Sequence, residues 1–443
     1  MDSNSNTTRR PRVVIIGGGF GGIAVARKLA GAPVDVLLID RNNYHAFWPL
    51  MYQVATAGLE VQDIVQPIRA LLWKMPNVHF QLATADCIDL EAQTVLTDAG
   101  AIPYDELVIA AGSANNFFGL HEIETHGFGF KEMPEALAIR NHIITRFEQA
   151  ESETDPEKLR RLLTFVVVGG GPTGVELAGA LAELIRHVMH RDHPNLDFRN
   201  VRLLLVEMMD RLIPSFPGSL SRNAQRTLER LGVEVRLRTS VAGMRNGALQ
   251  LKDGTEIQTD TVIWAAGVQG APIGATLGVK LQRGGRIPVT PELQLPGHPN
   301  VWVIGDLAYL EAPDGKPYPQ LAAVAMQQGP TVARNILRKL RGEPLRPFRY
   351  IDKGTMATVG RRSAVARIWG INWTGSIAWL LWLAVHLLYL MGGRNRLVVF
   401  VNWLYSYLTY DRAARAVIAP SRHAQAAAEV VELSNQPVLS ARS

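Results

Sequence analysis

The chain has 443 residues, 47% hydrophobic and 19% charged, enough to bury a large core in two or three domains and too apolar for a disordered polymer. A formal net charge of +6, without basic clusters interleaved with aromatics, points away from nucleic acid and only weakly toward an anionic membrane surface. The single cysteine, Cys87, excludes an internal disulfide and the dithiol pair on which disulfide reductases and sulfide oxidases depend.

The first ten residues are polar and end in Arg9-Arg10, which imitates an export signal. The apolar run that follows is used up by a strand and a glycine turn with no cleavage pattern, so a cytoplasmic start is expected. Residues 12–16 form a β-branched run leading into Gly17-Gly18-Gly19-Phe20-Gly21-Gly22, a helical stretch to about residue 29, and a second strand over 34–40. Gly17, Gly19 and Gly22 carry the GxGxxG spacing: the first permits a tight turn, the second lets backbone approach a pyrophosphate, the third lets helix and strand pack closely. The helix N-terminus then faces the anion, and Asp40 at the strand end can accept hydrogen bonds from an adenosine ribose.

An acidic stretch at 151–155 reads as an exposed boundary. Beyond it the plan repeats, with a strand over 164–168, the loop glycines Gly169, Gly171 and Gly174, a helix to about residue 190, and a return strand over 201–207 ending in Glu207. Short strands follow over 232–235, 249–254 and 261–265. Two dinucleotide cradles in one chain imply electron transfer between two dinucleotides, most simply NAD(P)H and FAD. Glu207 favours NADH, because a carboxylate there binds a ribose 2′-hydroxyl and repels the extra phosphate of NADPH; Arg211 is the nearby opposing charge.

From about residue 300 the chain returns to a buried strand ending in Gly305-Asp306. Residues 368–393 carry no charge, and their core at 377–391 approaches the ~20 apolar residues that span a bilayer. His386 and the flanking glycines shorten that stretch, and a second run at 397–410 holds Asn402 and aromatics suited to a headgroup interface. Arg361, Arg362, Arg367, Arg394, Arg396 and Arg412 surround the two runs, as at an anionic leaflet. These features count against spanning. His386, alone on an apolar stretch, is read as packed rather than catalytic, and with no second ionisable group beside it a proton-pumping relay is not expected. The Ala/Ser-rich tail after Pro420 is expected to be loosely ordered.

With both loops in place, the chain resembles the two-dinucleotide-domain flavoproteins of glutathione-reductase-like fold. The resemblance rests on Ala110-Ala111-Gly112-Ser113, Ala265-Ala266-Gly267 and Val301-Trp302-Val303-Ile304-Gly305-Asp306. More narrowly, it resembles the type II NADH dehydrogenases (NADH:quinone oxidoreductases). The residues that carry this are Phe47-Trp48-Pro49-Leu50-Met51-Tyr52-Gln53-Val54-Ala55, Gly174-Val175-Glu176, Ala325-Met326-Gln327-Gln328-Gly329 and the stretch from Asp352-Lys353-Gly354 to Gly360-Arg361.

The resemblance implies an α/β fold of two Rossmann-like domains plus an apolar C-terminal membrane-attachment region, held to one leaflet. The FAD-binding domain would comprise 1–120 and 290–345, the NADH-binding domain 121–289, the membrane-associated region 346–420, and a flexible tail 421–443. FAD would be held by Gly17, Gly19, Gly22, Asp40, Gly112, Gly305 and Asp306, and NADH by Gly169, Gly171, Gly174, Glu207 and Gly267. Glu176 would sit beside the nicotinamide–flavin stack, Gln327 and Gln328 near the flavin and the quinone entrance, and Lys353 near the reduced ring. The family's Ala-Gln-x-Ala-x-Gln quinone motif aligns with 322–327, where Ala323 stands in place of the first glutamine. The expected activity is reduction of a membrane quinone by NADH through non-covalent FAD, without proton pumping, at the cytoplasmic face of a bacterial inner membrane. No metal is expected, and apolar C-terminal helices leave a homodimer open. The rival readings are a reductase of a soluble electron-carrier protein and a non-catalytic flavin-bound redox sensor.

Overall fold

A computed structural model of the chain describes residues 9–409, 412 and 414–417, so the tail expected at 421–443 lies outside the described residues. Two parallel sheets organise it. The first runs Gln294–Leu295, His298–Val303, Glu106–Ile109, Arg12–Ile16, Asp35–Asp40, Val78–Leu82, parallel throughout except at the Gln294–Leu295 edge. Val13, Val14 and Ile15 are fully buried, as strands covered on both faces require. The helix Phe20–Leu29 covers one face and crosses the helix Ala322–Leu340 where Gly21 meets Gly329. A Cβ at Gly329 would stand 2.8 Å from the Gly21 carbonyl oxygen, so the crossing depends on small residues.

The second sheet runs Phe128–Gly129, Thr261–Trp264, Thr164–Val168, Arg202–Val206, Val233–Arg236, all parallel. Its edge strand Phe128–Gly129 precedes the acidic stretch at 151–155, so that stretch is no boundary between the sheets. Glu151 and Ser152 close the helix Met133–Ser152, and Asp155 caps the helix Pro156–Leu162 by accepting the Glu157 and Lys158 backbone N–H groups. An exposed acidic run and a helix-capping run have the same composition.

A three-stranded antiparallel sheet, Thr355–Gly360, Ser363–Ile368 and Ile371–Thr374, lies on the helix Pro172–Glu183. Contact is backbone to backbone: a Cβ at Gly179 would fall 2.4 Å from the Val359 carbonyl oxygen. The two apolar runs then form the helices Gly375–Tyr389 and Gly393–Thr409, turned at Gly392 with φ +87°. No helix among the described residues is long and apolar enough to cross a membrane. The inner face of the helix pair buries Ala378, Trp382, Val399 and Trp403, and Asn395 donates to the carbonyls of Gln62, Asp63 and Val65 at 2.9–3.1 Å. Its outer face leaves Ile377, Leu380, Leu388, Leu397, Val401, Leu404 and Leu408 exposed, Leu408 by 76%.

Candidate active site

The two glycine loops are built alike. Gly17 has φ +105° and Gly169 φ +112°, both in the region that glycine alone enters freely. A Cβ at Gly22 would lie 1.9 Å from the Gly17 carbonyl oxygen, and one at Gly174 1.8 Å from that of Gly169, so the third glycine of each loop is a packing requirement. Gly19 and Gly171 instead meet no heavy atom within 4 Å, the open side on which a ligand can approach. Neither Gly19 nor Gly171 offers a side-chain cap to the helix it precedes, so the first-turn N–H groups stay available to an anion.

Asp40 and Glu207 also repeat one design. Asp40 accepts the Gly18 N–H at 2.6 Å and the Asn42 N–H at 2.7 Å; Glu207 accepts those of Gly170 and, at 2.7 Å, Met209. Each carboxylate thus braces its own loop as well as standing where a ribose hydroxyl would arrive, since each oxygen has a second lone pair. Burial pushes the Asp40 carboxyl above the usual range against the pull of those N–H groups.

Gly17 rests on the backbone of Ala110 and Ala111, and Gly169 on that of Ala265 and Ala266. These segments continue into Ser113–Asn115 and Val268–Gly270, which pair antiparallel, Ser113 opposite Gly270. The two cradles are thereby tied to each other. Gly112 in the first crossover has φ +72°, and Gly267 in the second is covered by the Phe118 ring, 2.9 Å from where its Cβ would be.

At the Gly305–Leu307 turn, Asp306 accepts the Ser113 hydroxyl at 2.5 Å and lies 3.4 Å from Lys131 Nζ. Asp306 is therefore a side chain held between Ser113 of the first crossover and Lys131 rather than a helix cap. Gln328 is buried, and its Oε1 accepts the Gly305 N–H at 2.6 Å, holding that turn. Gln327 makes a two-point bond to the Ile351 backbone, donating at 3.1 Å and accepting at 3.0 Å. Both glutamines thus hold backbone, a task that sequence reading did not assign them. Lys353 is exposed, its Nζ 3.4 Å from the Tyr389 hydroxyl, and Ala323 is exposed on the first turn of its helix.

Glu176 lies one turn into the helix of the second loop. It accepts the Thr358 N–H at 3.3 Å, and burial pushes its carboxyl up to about 8. It opens on a cavity of about 60 Å³ walled by residues of the 47–55 motif and of the C-terminal helices. There Gln53 donates to the Tyr52 hydroxyl at 2.9 Å and accepts the Trp403 indole N–H at 2.8 Å, a polar stitch between regions 350 residues apart. His386 follows the packed expectation: Nδ1 lies 2.7 Å from the Trp382 carbonyl, its ring stacks on Trp382, and burial pushes it down to about 4. Arg412, expected among the leaflet cations, is instead turned inward against Thr56 and Ala180 carbonyls and Glu183, where buried acceptors can pair it.

The pyridine nucleotide-disulphide oxidoreductase family model matches residues 11–329, and the NDH2 C-terminal domain model matches 353–410. The chain is 39% identical over 427 residues to a type II NADH:quinone oxidoreductase of Mycobacterium tuberculosis, covering 93% of this chain and 91% of that one. It is 32% identical over 369 residues to that of Staphylococcus aureus, covering 82% and 90%. Its fold matches NDH2 of Plasmodium falciparum, solved in complex with NADH, with a TM-score of 0.85 at 18% identity, covering 93% of this chain and all of that one. The chain belongs to the type II NADH:quinone oxidoreductase family.

Proposed function

We propose that the chain carries out its family's reaction, NADH + H⁺ + quinone → NAD⁺ + quinol, with NADH at the Gly169–Gly174 cradle, FAD at the Gly17–Gly22 cradle, and the quinone arriving from lipid. The observation that carries this is the short ladder joining the two crossovers, which sets two matched dinucleotide cradles in one rigid frame. The cradles fit the groups assigned to them: an open Gly19 and Gly171, uncapped helix starts and a terminal carboxylate are what a pyrophosphate and ribose need. When bound, FAD supplies a reversible two-electron acceptor between a hydride donor and a quinone.

The chain's own residues do the rest. Gly17, Gly19, Gly22, Asp40, Gly112, Gly305 and Asp306 hold FAD, with Gln328 fixing the turn; Gly169, Gly171, Gly174, Glu207 and Gly267 hold NADH, and Glu207 selects it over NADPH. We assign 1–120 with 290–345 to the flavin domain and 121–289 to the nicotinamide domain, with the chain already back on the first sheet before residue 290, since Ile273, Leu277 and Ile287 pack in the core of that sheet with Val14, Ile16 and Val303. Glu176, its carboxyl raised by burial and accepting the Thr358 N–H through Oε1, is the residue we assign to proton transfer beside the flavin. Region 346–420 attaches to one leaflet through the exposed apolar face of its helix pair, a patch too continuous for an ordinary soluble surface. Attachment suits the substrates, because the donor dissolves in water and the acceptor in lipid.

The test is quinone reduction by NADH in liposomes carrying the quinone, followed as NADH absorbance. Turnover that stays with the vesicle fraction supports this reading; turnover only with a soluble iron–sulfur protein contradicts it.

A further inference from the structure

The two cradles share a bond that neither the glycine spacing nor the carboxylates account for. In each, the carbonyl of the middle loop glycine accepts a hydrogen bond from the segment just past the loop's acid. In the second cradle the donor to Gly170 is the backbone N–H of Ile213, at 2.7 Å. Ile213 is buried at φ +42°, a conformation that a β-branched residue rarely enters. In the first cradle the donor to Gly18 is a side chain: His45 Nδ1 lies 2.9 Å from the carbonyl oxygen. The same bond is thus made by two unrelated routes, one of them through strained backbone.

The geometry of the peptide says what the bond does. A trans peptide sets its C=O and N–H on opposite sides. Holding the Gly18 carbonyl therefore fixes where the Gly19 N–H points, away from the imidazole. That N–H meets no acceptor among the described residues, and Gly19 is the open glycine of the loop. On the other side, the Gly18 N–H goes to Asp40 at 2.6 Å, so Gly18 is held through both of its peptides. Donation into the carbonyl also polarises the shared peptide group and makes the Gly19 N–H a stronger donor.

His45 is placed for this one bond. It sits in the strand Tyr44–Ala46 opposite Gln66, with its ring edge-on to Phe20 at 5.1 Å between centroids, and is 2% exposed. A carbonyl partner puts the proton on Nδ1, and burial pushes the ring down to about 4, so Nε2 is bare at neutral pH. Nε2 has no partner among the described residues. An apolar side chain would avoid that unpaired nitrogen, whose cost the Nδ1 bond offsets.

We propose that His45 is a positioning residue of the flavin cradle: its Nδ1–H locks the Gly18–Gly19 peptide so that the Gly19 N–H is presented to the FAD pyrophosphate. The inference rests on the reading of the Gly17–Gly22 loop as the FAD site. His45 acts through Gly18 and touches no reacting atom, so its effect is on how tightly the flavin is kept.

The test uses full-length, flavin-loaded protein and measures FAD release on dilution, as recovery of flavin fluorescence, with far-UV circular dichroism as the check of fold. His45→Leu keeps apolar bulk and removes the donor. His45→Asn sets an amide NH₂ where Nδ1 stood and removes most of the ring. Gly19→Val is the reference for the cradle, since a Cβ at Gly19 meets no heavy atom of the protein within 4 Å and would stand on the open side. His45→Leu is expected to release FAD about tenfold faster, and His45→Asn to stay within about twofold of wild type. Gly19→Val should fold and hold no FAD. A packing role for the ring predicts the reverse order, with FAD lost from His45→Asn and kept by His45→Leu. If His45→Leu fails to fold, His45→Gln, whose longer amide leaves the Nδ1 place without a donor, carries the same expectation. Wild-type retention in His45→Leu or His45→Gln, or release from His45→Asn as fast as from these, would overturn the proposal and leave the cradle reading intact while Gly19→Val stays empty. Wild-type retention of FAD by Gly19→Val would overturn both.

Discussion

Burial holds the Glu176 carboxyl protonated at neutral pH, and the sign of that shift reaches stability as well as chemistry. Its acidity moves from an ordinary 4.5 in the unfolded chain to about 8 in the folded one. Between those values the folded chain binds the extra proton, so stability falls as pH rises from 4.5 to about 8 and is flat beyond. Glu176→Gln removes that dependence, and the slope difference between wild type and variant approaches, at most, about 1.4 kcal/mol per pH unit. Urea unfolding at pH 5.5 and pH 8 measures it; equal slopes would contradict the burial argument. For Glu207 the expectation concerns selectivity. Wild type prefers NADH over NADPH in kcat/KM, and Glu207→Ala lowers the NADH value about tenfold while narrowing the preference. Some of that loss is the loop brace to Gly170. At this scale Gly17, Gly22, Gly169 and Gly174 were legible, because a tight turn and a close helix approach admit no other residue type. Gln327 and Arg412 were not, since an amide or guanidinium declares its partner only in space: Ile351 lies 24 residues from Gln327, and Thr56 lies 356 from Arg412.

The helix pair shows how far an element can be read from its own letters. Its two apolar runs were legible by composition, and their limit short of a span by the glycines and His386. The sheet at 355–374 was not foreseen, because its strands are short and built largely of small residues whose pairing is fixed by the helix beneath. That contact is specific: Gly179→Val should push the sheet off the helix Pro172–Glu183 and lower Tm by several degrees, since a side chain would enter space held by the Val359 carbonyl. A smaller change would mean the sheet can shift freely. On the outer face, the triple change Leu397→Ser, Leu404→Ser and Leu408→Ser should release the protein from liposomes in flotation while flavin reduction by NADH stays unchanged. Retained flotation would mean that another surface attaches it. The residues affected are exposed on the outer face of the helix pair, which separates attachment from hydride chemistry.

Across the whole molecule, two sheets of one plan are joined where their crossovers pair, and a C-terminal region bolts onto both the 47–55 motif and the Glu176 helix. The duplication was legible because each βαβ unit announces itself within about forty residues; the bolting was not, since it depends on contacts between distant segments. The arrangement places a water-soluble donor, a flavin and a lipid-soluble acceptor on one body, and it makes one claim above the others. Anaerobic absorbance of the flavin-loaded protein in quinone-containing liposomes tests it directly. The account predicts that NADH bleaches the flavin and that the quinone restores its colour without any added protein. Flavin that stays yellow after NADH, or stays bleached in the presence of quinone, would contradict it.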